Sequence, residues 1–205
     1  MAPKWPSPNQ ESSELAVAGP GQAGSRAPGV MLTGTRGAGK TTMARLLTSA
    51  RGLAYVQPVG VTTRKRRSDD AGEYEYVDGP TFAELRRRHC LFIEGRYGEA
   101  SYGVTYVGIE RIRRAGKSPV LTVTPVAGLA GLNTTEWLVV WLDATDEVLN
   151  DRLAAEGRLD EPELKRRCRD RAVAARYPHF IDTSGQIEES FSALLGLIGR
   201  PGARG

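Results

Sequence analysis

Cysteine is scarce: Cys90 and Cys168 are the only two in 205 residues. They lie far apart and neither belongs to a C-x-x-C pair, so neither a disulfide framework nor a zinc site is expected, and the thiols read as inert. Histidine is equally rare, and His89 and His179 stand far from one another, which argues against a histidine metal centre. Long apolar runs are missing too. No segment approaches the roughly 20 residues that a membrane-spanning helix requires. The N-terminus lacks the apolar stretch of a secretory signal, so a cytoplasmic protein without membrane contact is expected.

What is present is the composition of an ordinary globular domain, 40% hydrophobic and 25% charged. The length suits one domain with its own core. The net charge of +4 arises from basic clusters at 64–67, 86–88 and 166–171. Clustered arginines suit either nucleic acid or the phosphates of a small molecule. No RNA- or DNA-binding signature accompanies them, so no nucleic-acid partner is expected.

Residues 1–28, rich in Pro, Gly, Ser and Ala, read as a disordered leader. Order is expected from Gly29, with a strand at Val30–Thr33 and a helix over 40–50 carrying Met43, Leu46 and Leu47 at helical spacing. Further helices are expected near 80–89, 107–115, 146–155, 161–175 and 187–198. Val120–Val123, Trp137–Leu142 and Phe180–Ile181 read as strands. Continuous apolar runs of this kind suit a parallel sheet buried on both faces. Their alternation with helices indicates an α/β fold.

The most specific motif is Gly34-Thr35-Arg36-Gly37-Ala38-Gly39-Lys40-Thr41, a complete G-x-x-x-x-G-K-S/T set between a strand and a helix. Glycines allow the backbone amides to turn inward on phosphate oxygens, and the helix N-terminus reinforces them. Lys40 is expected to reach the β- and γ-phosphates, with Thr42 completing the ATP cradle. The Thr41 hydroxyl is the expected ligand of Mg²⁺. The motif alone does not separate a kinase from a GTPase, an ATPase or a transporter subunit.

A second constellation follows. Thr62-Thr63-Arg64-Lys65-Arg66-Arg67 leads to Asp70, Gly72 and Tyr74-Glu75-Tyr76-Val77, then Phe92-Ile93-Glu94, Tyr102-Gly103-Val104 and Ala115-Gly116-Lys117. Two arginines three apart, Arg64 and Arg67, with the hydroxyls of Tyr74 and Tyr102, make a monophosphate clamp, because guanidinium offers donors in a fixed fork. In this order the segments resemble the guanylate kinase family from about Gly29 to Ile198. The resemblance implies a three-layer P-loop fold with a parallel sheet, a small acceptor-binding region at about 60–106 and a helical lid at about 150–176, within a kinase domain at 29–200. It implies a kinase that uses MgATP and a phosphorylated small-molecule acceptor, as a monomer or homodimer. Glu94 then matches the residue that accepts from guanine, and Asp70 stands for a loop glutamate.

Departures concentrate where the base is read. The family's serine is Gly60, and its Asp-x-Asp is Thr122-Val123-Thr124, so Thr122 and Thr124 replace acids near base and metal. Such an exchange alters which base or sugar fits. A related kinase of ribose 1,5-bisphosphate also lacks these acids. In the lid, Arg152 and Arg167 match family arginines, whereas the Gly-Arg-Gly arginine falls on Glu156, so that Arg158 would substitute from a shifted position. Lys40, Arg152, Arg158 and Arg167 are thus the expected catalytic set. No protein nucleophile and no general base of unusual pKa are expected. Asp182-Thr183-Ser184 is expected beside the adenine. GMP is the leading acceptor, ribose 1,5-bisphosphate or a specialised nucleotide the alternative, and a non-catalytic binding module a third reading.

Overall fold

The computed structural model describes residues 27–66, 72–123 and 136–199. Residues 1–26, and Arg67, Asp70 and Thr124 among the expected site residues, lie outside them. Two compact units form, one from Ala27–Gln57 and the chain from Ala115 onward, the other from Pro58–Arg114. Among the described residues no helix is long and apolar enough to cross a membrane.

The first unit is built on an all-parallel five-stranded sheet. Its strands are β1 (Gly29–Gly34), β2 (Tyr55–Val56), β7 (Ser118–Thr122), β8 (Trp137–Asp143) and β9 (His179–Asp182), in the order β2-β7-β1-β8-β9. Every residue of β1 and β8 is buried, as central parallel strands covered on both faces must be. Val30, Leu32, Leu138, Val140 and Leu142 form one apolar layer with Met43, Ala44 and Leu47 of α1 (Lys40–Ser49), Leu149 of α4 (Asp146–Ala155) and Leu194 of α6 (Ile187–Ile198). Each such side chain contributes about 1.5–3 kcal/mol on burial, so this layer anchors the turn from β1 into α1. Before β1, the carbonyls of Ala27 and Pro28 accept from Ser118 Oγ and Tyr55 Oη, two residues ahead of the expected Gly29.

Helix α5 (Glu161–Arg171) stops short of the expected 175. A 3₁₀ turn at Ala174–Arg176 follows, and Tyr177 is extended, as a residue preceding proline tends to be. Tyr177 then stacks near Trp141, centroids 5.0 Å apart.

The second unit carries a four-stranded sheet in the order β4-β3-β6-β5. It comprises β3 (Gly60–Thr62), β4 (Tyr74–Tyr76), β5 (Leu91–Tyr97) and β6 (Ala100–Thr105), with α2 (Gly79–Arg87) and α3 (Tyr106–Arg114). The β5–β6 antiparallel hairpin, closed at Gly98, was not legible as strands in the sequence. Helix α2 starts at Asp78, whose side chain accepts from Thr81 N at 2.8 Å. It ends with His89 N–H on Arg86 O and Cys90 N–H on Leu85 O. This is a Schellman closure with histidine, φ 52°, in the left-handed position usually given to glycine. Val61, Phe82, Leu85 and Cys90 form the small core beneath.

Candidate active site

At the carboxyl end of β1 the chain turns into the phosphate cradle. Gly34 has φ 129°, and a Cβ there would lie 1.8 Å from Leu142 O, so only glycine fits between β1 and β8. Gly37 and Gly39 adopt φ 83° and 79°, turning the backbone toward the N-terminus of α1. Lys40 Nζ donates to the carbonyls of Gly34 (2.8 Å) and Thr35 (2.7 Å), inside its own loop. Burial lowers its pKa to about 8, while Asp170, Glu163 and Asp143 pull it upward and Arg36 pushes it down. Thr41 and Thr42, in the first turn of α1, are exposed.

Two struts hold the loop. Asp143, at the end of β8, accepts from Thr35 Oγ1 at 2.6 Å and from its neighbour Ala144 N at 2.9 Å. Arg171 of α5 grips the same carboxylate through Nε (2.8 Å) and Nη2 (3.2 Å). Its Nη1 donates to Asp146, whose carboxyl Arg171 and Arg167 hold below the ordinary range. The second strut is Thr183, buried, with its hydroxyl 3.2 Å from Ala38 O and 3.0 Å from Asp143 O. Arg152 joins it by donating to Thr183 O (2.7 Å) and Gly37 O (3.2 Å). Thr183, expected beside the adenine, thus lies against the loop itself. Asp182 caps the turn by accepting from Ser184 N, and the Ser184 side chain and then this backbone donor hold its pKa down.

Helix α5 presents a polar stripe, because Glu163, Arg166 or Arg167, and Asp170 recur at three and four residues. Glu163 is 1% exposed and accepts from Arg36 Nη1 of the P-loop at 2.9 Å and from Arg166 Nη1. Arg167 is 4% exposed; its Nη1 meets Asp146, but Nε and Nη2 find no partner among the described residues. A buried guanidinium left so is unfavourable, and an anion would complete it. Asp170 is raised to about 6 by burial, against the pull of Lys40. Asp170 is thus a half-buried acid of α5 with a shifted pKa in the field of the lysine. Arg158 is different. Its N–H closes α4 on Leu153 O, after Gly157 at φ 64°. Its side chain is 44% exposed and pairs with Glu156 at 2.7 Å.

In the second unit, Arg64 lies beside Tyr74, and Tyr74 beside Tyr102. The Arg64 guanidinium carbon lies 5.3 Å from the Tyr74 ring centre and 5.5 Å from that of Tyr76, within cation–π reach. Tyr74 and Tyr102 meet edge to face, centroids 5.9 Å apart. Gly60 explains part of this: a Cβ there would come within 2.9 Å of the Tyr74 ring. Glu94 faces an engagement that the sequence did not disclose, accepting from Arg86 Nε at 2.9 and 2.7 Å.

A sequence model of the guanylate kinase family matches residues 26–198. The chain belongs to that family. It is 29% identical over 172 residues to a guanylate kinase of Chlamydia pneumoniae, covering 79% of this chain and 82% of that one. It is 31% identical over 179 residues to the ribose 1,5-bisphosphate phosphokinase PhnN of Desulfomicrobium baculatum, covering 82% and 92%. The crystal structure of guanylate kinase from Anaplasma phagocytophilum superposes with a TM-score of 0.64 at 18% identity, covering 84% and 85%; this likeness concerns the fold. As a guanylate kinase family member the chain is a kinase, a phosphotransferase on a P-loop fold.

Relative to the family pattern, Thr122 stands exposed at the end of β7, beside Leu32 of β1. Asp143, Glu163, Asp170, Arg171 and Arg86 were missed in the sequence. Asp143 alone had a signal there, an acid closing an apolar strand at the edge where α/β proteins bind ligands.

Proposed function

We propose that this kinase transfers the γ-phosphoryl group of MgATP to a small molecule that already carries a phosphate, with a nucleoside monophosphate such as GMP as the leading acceptor. The observation that carries the acceptor class is the grouping of Arg64, Tyr74 and Tyr102 in the second unit. A guanidinium beside tyrosine rings, whose hydroxyls can donate, suits a phosphate monoester. Arg67, Asp70 and Thr124 complete the proposed acceptor set from sequence, with Glu94 and Thr122.

On the donor side, Gly34 to Lys40 cradle the triphosphate, with Thr41 and Thr42 following. Lys40 exchanges its two loop carbonyls for phosphate oxygens, and Arg152, Arg158 and Arg167 are the proposed lid cations. The residues fit Mg²⁺ that arrives with nucleotide. The Thr41 side chain is exposed in the first turn of α1, and no group of three His, Cys, Asp or Glu that could hold a metal occurs among the described residues. Bound there, Mg²⁺ neutralises β- and γ-phosphate charge. The site is read as small-molecule chemistry in the cytoplasm, without nucleic acid or membrane.

Ribose 1,5-bisphosphate is a second reading, favoured by the Arg86–Glu94 pair: a carboxylate already held by a guanidinium is a poorer acceptor for guanine N–H groups. The PhnN relative points the same way. ADP release with MgATP across GMP, dGMP, AMP, CMP, UMP and ribose 1,5-bisphosphate, with Lys40→Ala as control, tests both. Turnover on GMP supports the first, and turnover on ribose 1,5-bisphosphate alone supports the second. Release unaffected by Lys40→Ala would count against the P-loop assignment.

A further inference from the structure

We propose that Arg36, a P-loop residue, is the guanidinium that meets the γ-phosphoryl group during transfer, and that buried Glu163 positions it. This rests on the kinase reading above and deepens it. Arg36 stands between Gly34 and Gly37, in the loop that wraps the phosphates. Its Nη1 is fixed at 2.9 Å on Glu163, a carboxylate with 1% exposure. Glu163 is held in turn: its N–H donates to Asp160 Oδ1 at 2.7 Å, which caps α5, and Arg166 pairs with the same oxygen that takes Arg36. The Arg36 side chain retains 27% exposure, so an arriving phosphate has access to it.

Arg167, at 4% exposure, is less accessible than Arg36, and Arg152 and Arg158 are committed differently. Arg158, the shifted substitute for the family's lid arginine, sits in the turn that closes α4 and pairs with Glu156 two residues earlier. Both terminal nitrogens of Arg152 hold backbone carbonyls of the cradle and of Thr183. Arg36 and Lys40 are near enough for the arginine to depress the lysine's pKa, and Glu163 raises it. Both cations thus feel the acids of α5, which now balance them. A triphosphate on the loop would bring its own negative charge, and the Arg36 guanidinium would meet its γ-oxygens.

In the transfer, an already ionised phosphate oxygen of the acceptor forms a bond to γ-phosphorus. The bond from γ-phosphorus to the β,γ-bridging oxygen breaks, and ADP departs with that electron pair. No proton needs to move. Arg36 offsets charge on the γ-oxygens throughout.

The test is calorimetric binding of MgATP and of MgADP to the full chain, without acceptor. Wild type is expected to favour ATP about tenfold, since a charged hydrogen bond to the γ-phosphate contributes on that order. Arg36→Gln should cut the ratio about threefold or more, Lys40 still reading the γ-phosphate, while ADP affinity stays within about twofold, which also reports a folded cradle. Arg36→Lys should keep part of the preference. Glu163→Gln should narrow the ratio and, on an acceptor that turns over, lower kcat with acceptor KM unchanged. An undiminished ratio in Arg36→Gln, or its loss in Arg158→Gln instead, overturns the assignment and leaves the kinase reading intact. A wild type that binds neither nucleotide overturns both.

Discussion

The Thr35 hydroxyl donates to the Asp143 carboxylate across 2.6 Å, joining the second residue of the P-loop to the end of β8. Arg171 reaches the same carboxylate from α5, so one buried acid ties the loop, the sheet and α5. Asp143→Ala leaves the Thr35 hydroxyl without its acceptor and Arg171, a third exposed, with Asp146 and the Ala144 carbonyl alone. Destabilisation of about 2–4 kcal/mol is expected, less than for a fully buried pair. That lowers the melting temperature by roughly 10 °C. A thermal melt that moves by only about 2 °C would show that Asp143 carries no such load.

Gly34 and Gly39 make a graded pair. A Cβ at Gly34 meets Leu142 O, a backbone atom, at 1.8 Å, whereas at Gly39 nothing lies within 4 Å and only the φ of 79° opposes it. Gly34→Ala should cost about 3 kcal/mol or more and abolish ATP binding. Gly39→Ala should cost about 1–2 kcal/mol. Equal melting temperatures for the two variants would contradict the close approach of β1 and β8.

His89 closes α2 in a left-handed conformation that a side chain opposes. His89→Gly should raise stability by about 1 kcal/mol in a urea titration. A fall in the midpoint would mean that the imidazole makes a compensating contact.

Asp170 gives stability a pH dependence of definite sign. Its folded pKa, about 6, exceeds the ordinary 3.8, so the folded chain holds the proton more tightly than the unfolded one. Stability from this group is full below about pH 4 and is lost as pH rises toward about 6. Asp170→Asn mimics the protonated form at every pH. The variant should match wild type near pH 4 and melt higher above pH 6, with the gap opening between. A gap constant across that range would sink the assignment.

The P-loop, α1, α4 and α6 were legible because their signals are local: glycine spacing, apolar periodicity and turn residues within a few positions. The β5–β6 hairpin was not, since Gly95, Arg96, Gly98 and Glu99 interrupt the alternation that marks a strand. Helix α5 ran long in the sequence because nothing in its arginine-rich pattern stops before Pro178. The struts were invisible for a different reason. Arg36 and Glu163 are 127 positions apart, and such pairings depend on tertiary packing that no local pattern encodes. The Arg64–Tyr74–Tyr102 group was found only through its order along the chain.

The most direct test follows the phosphorus itself. Phosphorus NMR of the full chain with MgATP and GMP, then with ribose 1,5-bisphosphate, reports where the γ-phosphoryl group goes. The expected result is a new resonance of a phosphoanhydride on one of these acceptors, matched by ADP, and lost in both Lys40→Ala and Arg64→Ala. ADP accompanied only by inorganic phosphate, or an acceptor resonance that persists in Arg64→Ala, would contradict transfer to a phosphate held by that clamp.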